Sequence, residues 1–134
     1  MLSIEAVLIL IWVHFVADFV CQTDKMGVNK SSSLLWLFAH IFSYTFAVFS
    51  CVLFFVLYNS KIHDINFNYD IGLVLFFSLF NGLTHLIIDF VSSKLTKYLY
   101  QNNKRHDFFV VIGFDQALHL SILMFSWLWL TTYY

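Results

Sequence analysis

Residues 71–91 of the chain are IGLVLFFSLFNGLTHLIIDFV, the most informative stretch for the fold. The stretch contains no proline, and Asp89 is its only charged side chain. Its apolar residues follow one another without the alternation of a half-buried strand, and a helix needs roughly 20 such residues to cross a bilayer. The stretch therefore predicts a membrane-spanning helix that carries His85 and Asp89 at the depth of the lipid.

Three other apolar stretches, at about residues 2–21, 34–58 and 108–130, are also long enough to cross a bilayer. Of the 134 residues, 60% are hydrophobic and 11% are charged, and none is proline. A soluble domain of this size could not bury so much apolar surface. We therefore expect residues 1–134 to form one integral membrane domain, an all-α, four-helix transmembrane bundle with up-down connections.

Positive charge is concentrated in two of the predicted loops. Six of the seven Lys and Arg side chains lie in loops 22–33 and 92–107, and the seventh, Lys61, lies in loop 59–70. Because Lys and Arg are enriched in cytoplasmic loops, loops 22–33 and 92–107 are expected in the cytoplasm and both termini outside. The net charge of −1 argues against a basic face for a nucleic-acid partner.

Seven ionisable side chains lie at matching depth in the four predicted helices. Three helices carry a His and an Asp four residues apart, which places both on one helix face, and the remaining helix carries a single His. The last helix runs opposite to the first and third and has its pair in reverse order, so every Asp is shallow and every His is deeper. We expect one layer, roughly 6–16 Å below the cytoplasmic boundary. Its members are His14, Asp18, His40, His85, Asp89, Asp115 and His119.

This layer predicts a metal site, because ionisable groups in lipid cost several kcal/mol unless they are paired or ligated. Imidazole and carboxylate ligands fit Zn²⁺ best, with manganese or iron as alternatives. Seven candidates exceed the four ligands of one tetrahedral zinc ion. Either two ions bind together, or one carboxylate among Asp18, Asp89 and Asp115 acts as a general base beside a single ion. The competing interpretation is a set of interhelical hydrogen bonds.

More polar side chains continue along the same helix faces. Gln22 follows Asp18 by one turn, and we expect it near both the ligands and the substrate. Others are expected to orient the ligating groups, namely Ser43, Tyr44, Ser78, Asn81 and Ser92. The pattern His-x-x-x-Asp-Phe-Val occurs at residues 14–20 and again at residues 85–91, which indicates two repeated helical hairpins.

The combined motifs resemble those of small bacterial and phage membrane proteins grouped as domain of unknown function 3307. They cover nearly the whole chain and are His14-x-x-x-Asp18-Phe19-x-x-Gln22-Thr23-Asp24-x-Met26, Lys30, His40, His85-x-x-x-Asp89, Lys94 and Asp115-Gln116-x-x-His119. More distantly, the chain is similar to YdjM-like membrane-bound metal-dependent hydrolases. The resemblance implies a metal site, hydrolysis of phosphoesters, and the bacterial inner membrane, or the host inner membrane for a phage protein.

The leading hypothesis is a metal-dependent phosphoesterase that acts on a phospholipid or a lipid-linked phosphate at the cytoplasmic leaflet. A bound ion would activate water, and Lys30, Lys94 and Arg105 in the basic loops would hold an anionic headgroup. One alternative is a transporter of divalent cations or protons. Another is a regulatory membrane protein, for example from a phage, in which the metal holds the bundle together. The expected partners are membrane lipid and a second copy of the chain in a homodimer.

Overall fold

The computed structural model describes residues 3–63 and 71–133. All regular elements within these ranges are helices, so the prediction of an all-α chain is confirmed. The order is α1 (Ile4–Phe15), a one-turn π-helix (Val16–Val20), α2 (Asp24–Asn29), α3 (Leu34–His63), α4 (Ile71–Gln101) and α5 (Arg105–Tyr133).

Three of the described helical stretches are long and apolar enough to cross a membrane. They are Leu34–Tyr58 within α3, the whole of α4 (Ile71–Gln101), and Arg105–Thr132 within α5. The first predicted span is shorter, since α1 has 12 residues and the π-helix after it has 5. A spanning helix takes roughly 20 residues. The predicted start of that span, at residue 2, lies outside the described residues.

The predicted loop over residues 92–107 is mostly helical. α4 continues to Gln101 and α5 begins at Arg105, because no proline or glycine interrupts residues 92–101 and its Leu and Lys residues favour a helix. α4 is closed after Gln101 by Asn103, whose φ of 57° is left-handed, and the amide of Lys104 donates to the carbonyl of Leu99 at 2.9 Å. This is the closure of a Schellman motif. The apolar stretches in the sequence thus predicted the apolar segment of each helix but not the residues at which the helix begins and ends.

The other two predicted loops also differ in part from the structure. Residues 22–33 contain α2, whose N terminus is capped by Thr23: its Oγ1 accepts a hydrogen bond from the amide of Met26 at 3.4 Å. α2 packs against α3. In the loop predicted over residues 59–70, α3 continues to His63, and residues 64–70 lie outside the described part of the chain.

The helices enclose an apolar core on one side of the predicted His and Asp layer. α4 packs between α3 and α5, and α1 packs against α3 and α5. Beyond the histidines, towards the predicted outer side, the core contains Leu10, Val48, Val52, Val74, Phe77, Leu123, Trp127 and Leu130. The outward faces are also apolar, with Phe42 75% exposed and Phe125 72% exposed. So much exposed apolar surface is typical of contact with lipid or a partner.

Gly82 allows α4 to approach α3 closely. Gly113 on α5 has no such role and serves as the comparison. A Cβ added at Gly82 would collide with Oγ1 of Thr45, whereas one at Gly113 would meet nothing within 4 Å in the described ranges. We expect Gly82→Ala to lower the free energy of unfolding by about 1–3 kcal/mol. Gly113→Ala should leave it unchanged or raise it by up to about 1 kcal/mol. Thermal unfolding in detergent, followed by circular dichroism, tests this. Equal midpoints for the two variants would contradict the close approach.

Candidate metal centre

The structure brings all seven predicted ionisable side chains into one buried cluster. Each of α1, α3, α4 and α5 contributes one imidazole, while the π-helix, α4 and α5 contribute the carboxylates. The exposed fraction runs from 0% for His40 and His85 to 9% for Asp115. The matching depth along the sequence therefore corresponds to proximity in space.

His40 and His85 form the tightest part of the cluster. Their Nε2 atoms are 3.1 Å apart, and Oδ1 of Asp18 lies 3.2 Å from His40 Nε2 and 3.3 Å from His85 Nε2. Oδ2 of Asp89 lies 3.2 and 3.6 Å from the same two nitrogens. Ligands held 2.0–2.1 Å from a tetrahedral zinc ion are roughly 3.3–3.4 Å from one another. The separations among His40, His85 and Asp18 are therefore close to those of ligands around a small cation.

His14 and His119 lie on the other side of the same two carboxylates. His14 Nε2 is 3.7 Å from Oδ2 of Asp18, and His119 Nε2 is 4.0 Å from Oδ1 of Asp89. The two imidazole rings stack with centroids 5.6 Å apart. Three groups of donor atoms lie within 4.8 Å of one another and could hold an ion: His14 with Asp18 and His119, Asp18 with His40 and His85, and His85 with Asp89 and His119.

Aromatic packing sets the orientation of the central imidazole. The His85 ring lies between the rings of Tyr44 and His119, with centroid distances of 4.0 Å to each. The Nδ1 atoms of His14, His40 and His85 have no hydrogen-bond partner among the described residues. Three residues predicted to orient the ligands instead bond elsewhere: Ser43 to the carbonyl of Cys21, Ser78 to the carbonyl of Val74, and Asn81 to the carbonyl of Phe77 and to Ser126. Among the predicted orienting residues, Tyr44 therefore contacts His85 directly, and Ser92 hydrogen-bonds the carboxylate of Asp115.

Asp18 reaches the cluster from the π-helix. The amide of Cys21 donates to the carbonyl of Val16 at 2.9 Å, which is the i to i+5 hydrogen bond of this wider turn. Ser43 Oγ donates to the carbonyl of Cys21 at 3.1 Å and so ties the end of the turn to α3. In this position Asp18 directs Oδ1 to one histidine pair and Oδ2 to His14. Single π turns of this kind occur often at functional sites.

Gln116, which stands in the sequence motif without a predicted role, belongs to the cluster. Its Oε1 lies 3.0 Å from Nε2 of His14. Its amide nitrogen donates to Oδ2 of Asp18 at 3.1 Å and to Oδ2 of Asp115 at 3.0 Å. One neutral side chain therefore links two carboxylates and an imidazole from three elements. Its position directly after Asp115 in the sequence could have predicted that it lies near the cluster.

Lys30 supplies a positive charge to the cluster. Its Nζ donates to Oδ2 of Asp89 at 2.7 Å, and its side chain is 18% exposed. Lys30 is the C-terminal cap of α2, so this ion pair connects α2 with α4. The ammonium group partly neutralises the carboxylates, as a buried set of negative charges requires.

A cavity of about 660 Å³ opens onto the cluster. The three carboxylates form part of its wall, together with residues of α2, α4 and α5. Lys30, Lys97 and Gln22 line it as well, beside apolar side chains such as Phe19, Tyr100 and Phe108. Oε1 of Gln22 is buried without a hydrogen-bond partner in the described part of the chain. The cavity thus combines cationic and apolar walls, which suits an anionic group attached to an apolar chain.

Lys94 and Arg105, predicted to bind substrate, do not line this cavity. Lys94 lies with Nζ 3.5 Å from the centre of the Phe90 ring, and the Arg105 guanidinium lies 4.0 Å from the centre of the Tyr100 ring. Each helical residue advances by about 100°, so Lys94 points about 140° away from Asp89 but Lys97 only about 80°. The structure therefore places Lys97, and not Lys94 or Arg105, at the cavity. The angular position of Lys97 relative to Asp89 on the helix could have predicted this.

The fold and the cluster define a helical protein with three helices able to cross a membrane and a buried group of side chains able to bind metal. Residues 6–134 match the family described as Protein of unknown function (DUF3307), and the chain belongs to that family. The resemblance drawn from the sequence motifs is thereby confirmed. No curated protein and no solved structure gives a significant match. The more distant similarity to YdjM-like hydrolases stays a prediction.

The Lys30–Asp89 pair leads to a prediction about metal affinity. The ammonium group occupies a carboxylate oxygen that a cation would use, and it repels a divalent ion. We expect Lys30→Met to bind Zn²⁺ about tenfold more tightly than the unaltered protein, as the loss of a competing charge-assisted hydrogen bond implies. Competition with a chromogenic chelator measures the affinity. Lys25→Met, an exposed position on the same short helix, is the control and should bind Zn²⁺ normally. Unchanged or weaker binding by Lys30→Met would show that the ion pair does not compete with metal.

Proposed function

We propose that the protein is an integral membrane metal-dependent hydrolase, a phosphoesterase that cleaves a phospholipid or a lipid-linked phosphate. The observation that carries this proposal is the set of separations among His40, His85, Asp18 and Asp89, which suit a small cation at the end of an open cavity. The nitrogen and oxygen donors favour zinc, with manganese or iron as alternatives.

The proposed chemistry divides the cluster by role. A bound divalent cation lowers the pKa of its water towards neutrality and polarises a phosphoryl oxygen. Asp18 and Asp89, which contact the histidines most closely, would hold the cation. Asp115 is the most exposed of the three carboxylates, and its side chain lines the cavity. It is thus the carboxylate best placed to accept a proton from water in the cavity.

The cavity wall supplies the groups that would hold the substrate. Lys30 and Lys97 carry the positive charge that a phosphate group requires, and Gln22 offers an amide beside them. The apolar part of the same wall includes Phe108 and Ile112, which would contact the chain of a lipid. A soluble phosphate ester would make no use of this second surface.

The proposed architecture is a transmembrane bundle in which α1 and the π-helix act as the fourth member. After Glu5 in its first turn, the outward side chains of α1 include Leu8, 54% exposed, and Trp12, 64% exposed, as lipid contact requires. The segment also carries His14, which reaches the depth of the other histidines. Two repeated hairpins would then be α1 with α3, and α4 with α5. We place the protein in the bacterial inner membrane, or in that of the host if a phage encodes it.

This topology predicts the location of the C terminus. Since the basic residues flank the cavity side of the helices, both termini are expected outside the cytoplasm. Alkaline phosphatase fused after Tyr134 should be active in cells, whereas a green fluorescent protein fused there should be dark. The same two reporters inserted after Asn103, in the turn between α4 and α5, should give the opposite signals. Matching signals at the two positions would contradict the proposed topology.

The apolar core supports a hydrolase over a transporter. On the outer side of the histidines, the described helices bring together apolar side chains such as Leu10, Val52 and Phe77, each at most 3% exposed. The buried polar side chains on this side, Ser78, Asn81 and Ser126, bond to helix carbonyls or to one another, whereas a path for ions would need polar groups open along this half. The cluster instead opens to one side, through the cavity. A site of this form is suited to a substrate that enters and leaves from the same face.

His85 is fully buried at the centre of the cluster, so replacing it tests the proposed activity. Zinc-loaded protein in mixed micelles should release phosphate from phosphatidic acid, or a headgroup from phosphatidylglycerol. His85→Gln should lower this rate by at least about 100-fold, because it removes a ligand and not merely a supporting group. Release is followed by a phosphate assay and by mass spectrometry of the lipid.

The matched control for this measurement is His106→Gln, on the exposed first turn of α5. It should retain the full rate. Equal rates for the two variants, or no release from either lipid by protein that carries stoichiometric metal, would overturn the proposed phosphoesterase.

A further inference from the structure

Each of the two central carboxylates faces the His40–His85 pair with one oxygen and one further histidine with the other. Asp18 directs Oδ1 to His40 and His85 and Oδ2 to His14, at distances of 3.2, 3.3 and 3.7 Å. Asp89 directs Oδ2 to His40 and His85, at 3.2 and 3.6 Å, and Oδ1 to His119 at 4.0 Å. Each carboxylate therefore uses its two oxygens on opposite sides of the cluster.

From this arrangement we infer that the cluster binds two divalent cations, one between His40 and His85 and one between His14 and His119, with Asp18 and Asp89 bridging them. An imidazole nitrogen binds one ion, whereas the two oxygens of a carboxylate can bind one ion each. Two ions bridged by carboxylates typically lie about 3.5–4 Å apart. The inference rests on the proposed metal-dependent hydrolase and gives its reaction a two-metal form.

The second position is supported by an unused donor. His119 is 3% exposed, and its Nδ1 lies 3.5 Å from Oδ2 of Asp115, whereas its Nε2, 4.0 Å from Oδ1 of Asp89, has no hydrogen-bond partner among the described residues. Burial of such a group without a partner is unfavourable, and a cation bound to Nε2 would remove this cost. A single ion between His40 and His85 would leave Nε2 of His119 buried without a partner. His119 thus indicates an occupant on the second side.

Gln116 occupies the space beside this second position. Its amide lies between His14 Nε2 and Oδ2 of Asp18, at 3.0 and 3.1 Å. An ion bound to His14 would displace the amide or take Oε1 as a further ligand. The first position has a comparable occupant, because Lys30 Nζ contacts Oδ2 of Asp89 at 2.7 Å. Without metal, a side chain of the protein itself thus fills part of each position.

The charge of a two-ion cluster selects the substrate class. Asp18, Asp89 and Asp115 provide three negative charges and Lys30 one positive charge, so one divalent cation neutralises the cluster. A second divalent cation leaves an excess of two positive charges. In a site of low dielectric this excess favours a dianionic ligand strongly. The two-ion form therefore points to a terminal phosphate, as in a lipid phosphomonoester, in preference to a neutral ester.

Metal stoichiometry tests the inference without any assay of hydrolysis. Full-length protein in detergent is equilibrated with Mn²⁺, freed of excess ion and analysed for metal. We expect two ions per chain and an electron paramagnetic resonance spectrum of a spin-coupled pair. One ion per chain, or a six-line spectrum of isolated Mn²⁺, would overturn the inference. Because this measurement uses the unaltered protein, it does not depend on the folding of any variant.

Two variants and a control extend the test. His119→Gln and His40→Gln should each retain one ion and show the uncoupled spectrum, while His106→Gln should retain two. Inorganic phosphate, titrated by calorimetry, should bind the two-ion protein at least about tenfold more tightly than His119→Gln. Two ions without hydrolysis of any lipid phosphoester would end the proposed function and leave the two-metal site standing. One ion together with hydrolysis would do the reverse.

Discussion

Three carboxylates buried among apolar helices are the constraint on which the rest of the structure depends. Removing a charge from water costs several kcal/mol, and only opposite charge or close hydrogen bonds can offset this. The protein offsets it with Lys30 on Asp89, with Gln116 between Asp18 and Asp115, and with four imidazoles whose Nε2 atoms face inward. α1, the π-helix, α3, α4 and α5 each contribute at least one group to this cluster, and Lys30 contacts it from the end of α2.

The fold keeps the two sides of the cluster different. On one side the apolar core fills the space between the helices, so the charged groups lie against Tyr44 and its neighbours without access to water. On the other side α2 and the extended ends of α4 and α5 surround a cavity with lysines in its wall. This asymmetry accounts for the extension of α4 and α5 beyond the predicted spans at residues 71–91 and 108–130. Their polar turns form the walls of the entrance and not a flexible connection.

The sequence predicted the cluster because spacing and depth are properties of a single helix. The intervals His14 to Asp18, His85 to Asp89 and Asp115 to His119 fix both the face and the level of each side chain. Contacts that depend on neighbouring elements were not predictable in this way. The Lys30 contact requires the position of α2, and the π-helix at Asp18 follows from packing on α3 with no marker in the composition. Lys97 was recoverable, since helical phase separates it from Lys94.

The π-helix also sets a limit on how this chain could be made more stable. Deleting one residue between His14 and Asp18 would restore a regular α-helix there and improve the backbone hydrogen bonding of the first segment. The same deletion would rotate the Asp18 carboxylate by roughly 100° about the helix axis and withdraw it from both histidine pairs. The π-helix thus lowers the local stability of the backbone but positions Asp18. A deletion that raised thermal stability here would therefore also disrupt the cluster.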